Sequence, residues 1–403
     1  MRKLYLLLLA ANLFNTAGAQ CTNGRYWDEI FPTINKTTVT YSTVYGQQMD
    51  IYQPAGDTLS ARPLIILAHG GSFISGDRTD DTTILNLCQR FAQRGYVTVS
   101  IDYRIMDAAS FLSNADSAID EVAMAISDGK AAIRFFMNDR ATTNTYKIDT
   151  GNIYAGGNSA GAVLYMHVGY IDSLGACPPG IAAAIASNGG FEGNSGFPGY
   201  TTKLNAVINL AGALNETSFV HTGSRPSVNA QGTADATVPY NCGNPLGGFG
   251  ALSTITLCGL GALEPVYVSS SIYHMSHIFP GDGHVPWSTD PVKFNTVDSM
   301  IKVFLFNFVC PGGGYTEVKG ASFVPELSIS PNPAVKEVNI NSSEPMRDIS
   351  IIDQTGRVIY SLTGLNSENY QVNTADFIRG VYFLKVLFRN ELVAPVVKQI
   401  VVE

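Results

Sequence analysis

Apolar and polar residues alternate along the middle of the chain with a period that switches between strand and helix. Residues 63–68 form a continuous apolar run, typical of a strand buried on both faces of a sheet. Strand patterns are predicted at 41–45, 49–52, 63–68, 96–101, 153–155, 206–210, 227–230, 265–268 and 277–279, and helical patterns at 84–94, 115–137, 160–170 and 292–308. After an opening antiparallel pair, this alternation predicts a mostly parallel, doubly wound α/β sheet, in which ligands bind at the carboxyl ends of the strands.

The pattern changes at both ends of the chain. Residues 1–19 combine Arg2 and Lys3 with an apolar run and small residues at 17–19, which predicts a signal peptide cleaved before Gln20. A lipoprotein interpretation of Cys21 is disfavoured, because lipoprotein cleavage sites prefer a small residue where Gln20 stands. No stretch is long enough to cross a bilayer, so we expect no stable membrane insertion.

A second domain is predicted towards the C-terminus. The first domain is assigned to residues 20–312, and the polar, Gly-rich stretch 313–326 is interpreted as a linker. Residues 327–403 contain short alternating segments separated by turn residues. This pattern predicts a small all-β sandwich.

Composition narrows the possible functions. Only 14% of the 403 residues are charged and 45% are apolar, which excludes a disordered chain. The net charge of −8 opposes nucleic-acid binding, which requires a basic surface. Six cysteines in an exported protein indicate disulfides with 15 possible pairings, of which Cys242–Cys258 is predicted, while Cys88 and Cys177 could also be free thiols. Without a Cys-x-x-Cys pair, a His cluster or a cofactor loop, we expect no metal and no cofactor.

The segment Gly157-Asn158-Ser159-Ala160-Gly161 fits the pattern Gly-x-Ser-x-Gly between a predicted strand and a predicted helix. A nucleophilic serine on such a tight turn needs glycines two positions away, because side chains there would collide with the neighbouring backbone. The following helix directs its N-terminus at the reaction centre, where it favours developing negative charge. Ser159 is therefore the predicted nucleophile.

A second motif, His69-Gly70-Gly71-Ser72-Phe73, directly follows the predicted strand 63–68. Acyl transfer requires at least two donors for an oxyanion, and a Gly-rich loop can direct backbone N–H groups inward. We expect these donors to be the N–H groups of Gly71, Ser72 and Ala160.

These two motifs, together with Asp102-Tyr103-Arg104, resemble the carboxylesterase branch of the α/β-hydrolase superfamily. Ser72 departs from the family's fuller His-Gly-Gly-Gly pattern but retains a backbone donor. The resemblance implies a triad in the order Ser, acid, His. Asp235, which precedes Val238-Pro239, and His284, in Pro280-Gly281-Asp282-Gly283-His284, match the acid and histidine loops.

Other assignments remain open within this domain. Asp282 is interpreted as a turn residue and His69, His167, His221, His274 and His277 as structural or solvated residues. Asp102 and Arg104 are expected to brace the oxyanion loop by ion pairing. Two Gly-rich segments, 188–200 and 241–262, could line a substrate pocket or form surface loops.

The tail carries Ser330-Pro331-Asn332-Pro333, Gly356-Arg357-Val358 and Gly380-Val381-Tyr382 in this order. It resembles the C-terminal sorting domain of type IX secretion, which implies export and the secretion machinery as a partner. A carbohydrate-binding module is the alternative, although the tail contains no Trp.

The sequence as a whole predicts a secreted serine carboxylic-ester hydrolase that uses Ser159, Asp235 and His284 through an acyl-enzyme. The substrate would be a small-molecule or polymeric ester, with acetyl, feruloyl, lipid and polyester substrates all open. The alternatives are a serine peptidase on the same fold, which would usually carry a large N-terminal propeller, and a non-catalytic binding module.

Overall fold

A computed structural model describes residues 21–310, 327–354, 357–389 and 396–403. The described residues fall into two compact units, one within residues 1–320 and one within residues 321–403. The predicted leader 1–19, the predicted linker 313–326 and Gly356 of the tail motif lie outside the described residues. The predicted domain boundaries therefore stay predictions.

The first unit is built on an eight-stranded sheet with the order β1-β2-β4-β3-β5-β6-β7-β10. Its strands are β1 (Ile34–Thr40), β2 (Gln48–Pro54), β3 (Arg62–Ala68), β4 (Val97–Ile101), β5 (Ile148–Asn158), β6 (Ala206–Leu210), β7 (Ser227–Gly232) and β10 (His274–Phe279), and a separate ribbon pairs β8 (Cys242–Gly243) with β9 (Leu257–Cys258). The pairs β1/β2 and β2/β4 are antiparallel, and all other neighbours in the large sheet are parallel. The predicted fold class is confirmed.

Seven α-helices are described in this unit. They are α1 (Thr82–Gln93), α2 (Ala108–Ser113), α3 (Ala115–Ala141), α4 (Ala160–Tyr170), α5 (Pro179–Ser187), α6 (Leu260–Ser269) and α7 (Pro291–Val309), with short 3-10 turns at Leu174–Ala176, Thr217–Phe219, Pro245–Gly248, Gly250–Thr254 and Pro286–Ser288. Every residue of α4 is buried. This follows from its position, because it packs against β5, β6 and α3.

The strand order reverses direction next to β3. The chain runs from β3 to β4 on one side and later enters β5 on the other side of β3. The loops that follow β3 and β5 therefore diverge at the carboxyl edge, which is where open α/β sheets bind ligands. These two loops carry the predicted oxyanion motif and the predicted nucleophile.

Two predicted strands are wrong. The first strand occupies Ile34–Thr40 rather than 41–45. It lies at the edge of the sheet with mostly exposed side chains, so hydrophobicity does not reveal it. Residues 265–268 belong to helix α6, in which Leu260, Leu263 and Tyr267 are buried. That spacing of three and four residues puts them on one helical face, which outweighs the β-propensity of the valines.

The second unit is an all-β domain. Its strands are β11 (Leu327–Ser330), β12 (Glu337–Asp353), β13 (Val358–Leu362), β14 (Ser367–Asn373), β15 (Gly380–Phe388) and β16 (Val396–Val402). The long strand β12 pairs antiparallel with β11, β13, β14 and β15, and β15 pairs with β16. Alternate residues of β12, such as Val338 and Ile340, are buried in a core of their own. The predicted all-β tail is confirmed.

Two disulfides close loops of very different length. Cys242–Cys258 joins the ribbon strands β8 and β9, as predicted, at a sequence separation of 16. Cys21–Cys310 joins the two ends of the described first unit at a separation of 289. Cys88, which is buried, and Cys177 are free thiols.

Candidate active site

The turn between β5 and α4 holds Ser159 in an unusual backbone conformation. Its φ of 55° and ψ of −116° are sparsely populated for a residue with a side chain, and such strain costs about 1–3 kcal/mol. The surroundings stabilise this conformation, since the Ser159 N–H donates to the carbonyl of Leu210 at 2.8 Å. A Cβ at Gly157 or Gly161 would lie only 2.4 or 2.2 Å from the Ala68 carbonyl oxygen. Both glycines are therefore required by the close approach of β3.

The structure brings Ser159, His284 and Asp235 together. Ser159 Oγ and His284 Nε2 are 2.7 Å apart, and His284 Nδ1 lies 2.7 Å from Asp235 Oδ2. The imidazole thus lies between a hydroxyl and a carboxylate that are far apart in the sequence. This geometry permits a proton to move from Ser159 to His284 while Asp235 fixes the tautomer.

Backbone donors fix the second oxygen of the Asp235 carboxylate. Asp235 Oδ1 accepts the N–H groups of Thr237 and Val238, both at 2.9 Å. Asp235 is 7% exposed, so these bonds form away from bulk water. They leave Oδ2 directed at His284, which is the orientation that a triad acid needs.

The rival residues lie outside this arrangement. Asp282 forms an ion pair with Lys293, 2.6 Å between Oδ2 and Nζ. His167 is buried and its Nδ1 lies 2.8 Å from the Val163 carbonyl oxygen. His274 pairs with Glu264 and His221 with Asp172. Burial lowers the pKa of His277.

Hydrogen bonds orient the peptide groups of the loop after β3. The Gly71 carbonyl accepts the N–H groups of Ile74 and Ser75, both at 3.1 Å. The Gly70 carbonyl accepts the Tyr103 hydroxyl at 3.3 Å and lies 2.5 Å from His69 Nδ1. Because C=O and N–H point in opposite directions across a trans peptide, the N–H groups of Ser72 and Gly71 face away from these partners.

The rings of His69 and Tyr103 pack together beside this loop. They stack at a centroid distance of 4.4 Å, and burial lowers the pKa of His69. The expected bracing by Asp102 and Arg104 takes another form. Asp102 pairs with Arg78 at 2.8 Å and Arg104 with Asp128 at 2.9 Å, so neither forms its ion pair with the oxyanion motif. Tyr103, between them, contacts the motif instead, donating also to the His69 carbonyl at 3.1 Å.

Comparison with known families agrees with this geometry. Residues 49–215 match the BD-FAE family, a domain of α/β-hydrolase-type esterases. Residues 328–403 match the secretion system C-terminal sorting domain. The chain carries an esterase domain and a type IX sorting domain. The sorting domain marks the chain for export by type IX secretion and implies that machinery as a partner.

Solved structures share the fold of the esterase domain at low sequence identity. A thermophilic esterase from Thermogutta terrifontis, Est2, is 20% identical with a TM-score of 0.51, covering 69% of this chain and 95% of its own. Its propionate-bound form gives the same identity and TM-score, over 69% and 97% of the two chains. Thermogutta terrifontis esterase 2 phosphorylated by paraoxon is 20% identical with a TM-score of 0.50, over 70% and 96%. No curated protein matches significantly.

A cavity of about 420 Å³ opens beside Ser159 in the esterase domain. Ser72, Ser159 and Ala160 lie in its wall, whereas Gly71 and His284 do not. The remaining wall is mostly aliphatic and comes from α3, α5 and the disulfide-bridged segment, including Ile119, Val122, Ile126, Ile181, Ile185, Leu246, Leu252 and Leu257. The segment 241–262 thus lines the cavity, which is one of the two alternatives that the sequence left open.

The other Gly-rich segment, 188–200, does not line this cavity. Buried polar residues of α3 hold it instead. Arg134 donates to the Gly196 carbonyl at 2.8 Å, Lys130 donates to the Phe191 carbonyl, and Asp128 accepts the Ser195 hydroxyl at 2.5 Å. The segment therefore packs as a fixed surface loop of the esterase domain.

Within the described ranges, no group of three or more His, Cys, Asp or Glu side chains could hold a metal ion. None of the helices among these same residues has the length and apolar character needed to cross a bilayer.

Proposed function

We propose that this protein hydrolyses carboxylic esters through an acyl-enzyme on Ser159. The observation that carries the proposal is the unbroken line of contacts from Ser159 Oγ through His284 to Asp235, 2.7 Å at each step. Ser159 Oγ attacks the ester carbonyl and gives its proton to His284 Nε2. The imidazolium then protonates the departing alcohol, and a water molecule repeats the sequence to release the acid.

The oxyanion formed in each half-reaction needs donors on the side of Ser72 and Ala160. We assign this role to the N–H groups of Gly71, Ser72 and Ala160. Two observations support the assignment. The Gly70 and Gly71 carbonyls are bonded within the loop and to Tyr103, so the N–H groups of the same peptides point the opposite way. Ala160 is the first residue of α4. The first N–H groups of a helix have no partner within it. Each donor contributes about 2.7–4 kcal/mol to transition-state stabilisation in related sites.

The cavity favours a substrate with a bulky apolar acyl group over an acetyl ester. The leaving alcohol must lie near His284, which protonates it, but His284 does not line the cavity. Residues Ser72 and Ala160, on the oxyanion side, do line it. We therefore assign the cavity to the acyl part, and its aliphatic wall favours a chain well beyond two carbons.

Turnover of p-nitrophenyl esters by the full chain and by Ser159→Ala tests the proposal. The variant should lose at least 10⁴-fold in kcat and should no longer be labelled by paraoxon, the reagent that phosphorylates the structurally similar Thermogutta esterase. Ser271, an exposed serine in the turn between α6 and β10, serves as the control when replaced by alanine. Full activity or full labelling of Ser159→Ala would refute the proposal.

A further inference from the structure

One carboxylate outside the triad contacts two of the catalytic loops. Asp81 Oδ2 accepts the N–H of Gly70, in the oxyanion loop, at 3.1 Å. The same oxygen accepts the side-chain N–H of Asn158, in the nucleophile turn, at 3.0 Å. Asp81 therefore joins a residue next to the Gly71 donor to a residue next to Ser159.

The contact chain continues into the histidine loop. Asn158 Oδ1 accepts the indole N–H of Trp287 at 3.2 Å. Trp287 is 2% exposed and stands three residues after His284. Asn158 is itself 4% exposed, so its amide would be costly to leave unpaired. The three side chains link the loops that carry the oxyanion donors, the nucleophile and the base.

We propose that Asp81, Asn158 and Trp287 are positioning residues for the reaction, a linking network that fixes the three catalytic loops relative to one another. The proposal rests on the assignment of Ser159 and His284 above. Catalytic groups must be held within about 0.5 Å of their productive positions, and a displacement near 1 Å can cost about 10²-fold in rate. None of the three contacts the triad side chains directly by a hydrogen bond in this structure, so the network acts through the backbone of its loops.

A purely structural role for Asp81 is the competing explanation. Its Oδ1 caps helix α1 by accepting the N–H groups of Thr83 and Ile84 at 3.0 and 3.3 Å. The chain offers a matched control for this cap. Asp290 caps helix α7 in the same way, accepting the N–H groups of Val292 and Lys293 at 2.8 and 3.3 Å. Its carboxylate makes these cap contacts alone among the hydrogen bonds described for it.

The substitution Asp81→Asn separates the two roles. A single amide oxygen cannot serve both the helix cap and the pair formed by Gly70 and Asn158, so an NH₂ group must face N–H donors on one side. We expect kcat to fall about 10- to 100-fold with KM changed less than threefold. Asp290→Asn should leave kcat within twofold of wild type, although the same cap is weakened.

A reciprocal exchange provides the rescue. In Asp81→Asn/Asn158→Asp, the new amide can cap α1 with its oxygen and donate to the new carboxylate, which still accepts from Trp287. The NH₂ group still faces the Gly70 N–H, so the exchange restores the contact with residue 158 but not the contact with Gly70. Asn158→Asp alone places two carboxylates side by side and should be the most damaging single change among the three residues of the network. The double variant should recover at least tenfold in kcat over the value expected if the two losses multiplied. Trp287→Phe, which removes the N–H together with part of the ring, should lower kcat several-fold.

The proposal is overturned if Asp81→Asn and Asp290→Asn lower Tm by the same amount and both keep the wild-type kcat. It is also overturned if the double variant Asp81→Asn/Asn158→Asp recovers no kcat while all variants remain folded. Labelling by paraoxon separates this failure from failure of the proposed function. Asp81→Asn should still be labelled to completion, only more slowly, because Ser159 is intact. If Ser159→Ala is labelled and active, the catalytic assignment itself is wrong, whatever Asp81→Asn does.

Discussion

Replacing Asp235 by asparagine tests the triad with the smallest change in shape. Two backbone donors, the N–H groups of Thr237 and Val238, hold Oδ1 of the wild-type carboxylate. In the variant the single oxygen must stay there, because an NH₂ group in its place would face both donors. The amide nitrogen then faces His284 Nδ1, where the wild-type oxygen lies at 2.7 Å. It donates to that nitrogen and forces the imidazole proton onto Nε2, opposite Ser159.

An imidazole protonated at Nε2 cannot accept the proton of Ser159. The same substitution in a Ser-His-Asp enzyme lowers kcat by about 10⁴, which corresponds to about 5 kcal/mol of barrier. The assay is kcat on a p-nitrophenyl ester at pH 7–8, with Tm measured to show that the variant is folded. Asp282→Asn is the control, since its Lys293 ion pair lies outside the triad, and it should retain kcat within twofold. More than about 1% of wild-type kcat in folded Asp235→Asn would refute the reasoning.

Two further predictions concern the cavity and a buried carboxyl on α3. Val122→Phe, in the cavity wall, should lower kcat/KM for an octanoate ester at least tenfold but for an acetate ester less than threefold. The control Val268→Phe, at a 55% exposed site, should alter neither value. Equal losses on both esters in Val122→Phe would contradict an acyl site. Burial raises the pKa of Glu121 to about 8, so the contribution of Glu121 to stability should fall between pH 4.5 and 8, where only the unfolded chain ionises at this residue. Glu121→Gln stays neutral, and its Tm advantage over wild type should grow across that window; a constant difference would contradict this.

The sequence motifs predicted the parts of the site that lie on local turns. Ser159 was recognisable because its glycine neighbours are required by local crowding with β3. Asp235 and His284 were placed through family resemblance, and the structure brings both to Ser159. Each of these residues follows a strand of the parallel sheet, so the topology alone carries them to one edge.

The linking network could not be predicted in this way. Asp81 and Asn158 are 77 residues apart, and Trp287 is a further 129 from Asn158. From the sequence, an aspartate directly before a helix predicts an N-cap, and it predicts no contact with other loops. Its second role depends on which loops the sheet order places beside α1, and single-residue patterns contain no such information. The bracing role expected of Asp102 and Arg104 was misplaced for the same reason, since their partners Arg78 and Asp128 lie on other elements.

The bond between Cys21 and Cys310 turns the esterase domain into a covalent ring of backbone and sulfur. A protease that cuts one exposed loop inside this ring opens it without releasing a fragment, because the two pieces remain joined through the cystine. A nicked enzyme outside the cell would thus keep all three loops of the proposed active site in one molecule. Gel electrophoresis should show one band from the nicked domain without reductant and two bands after reduction.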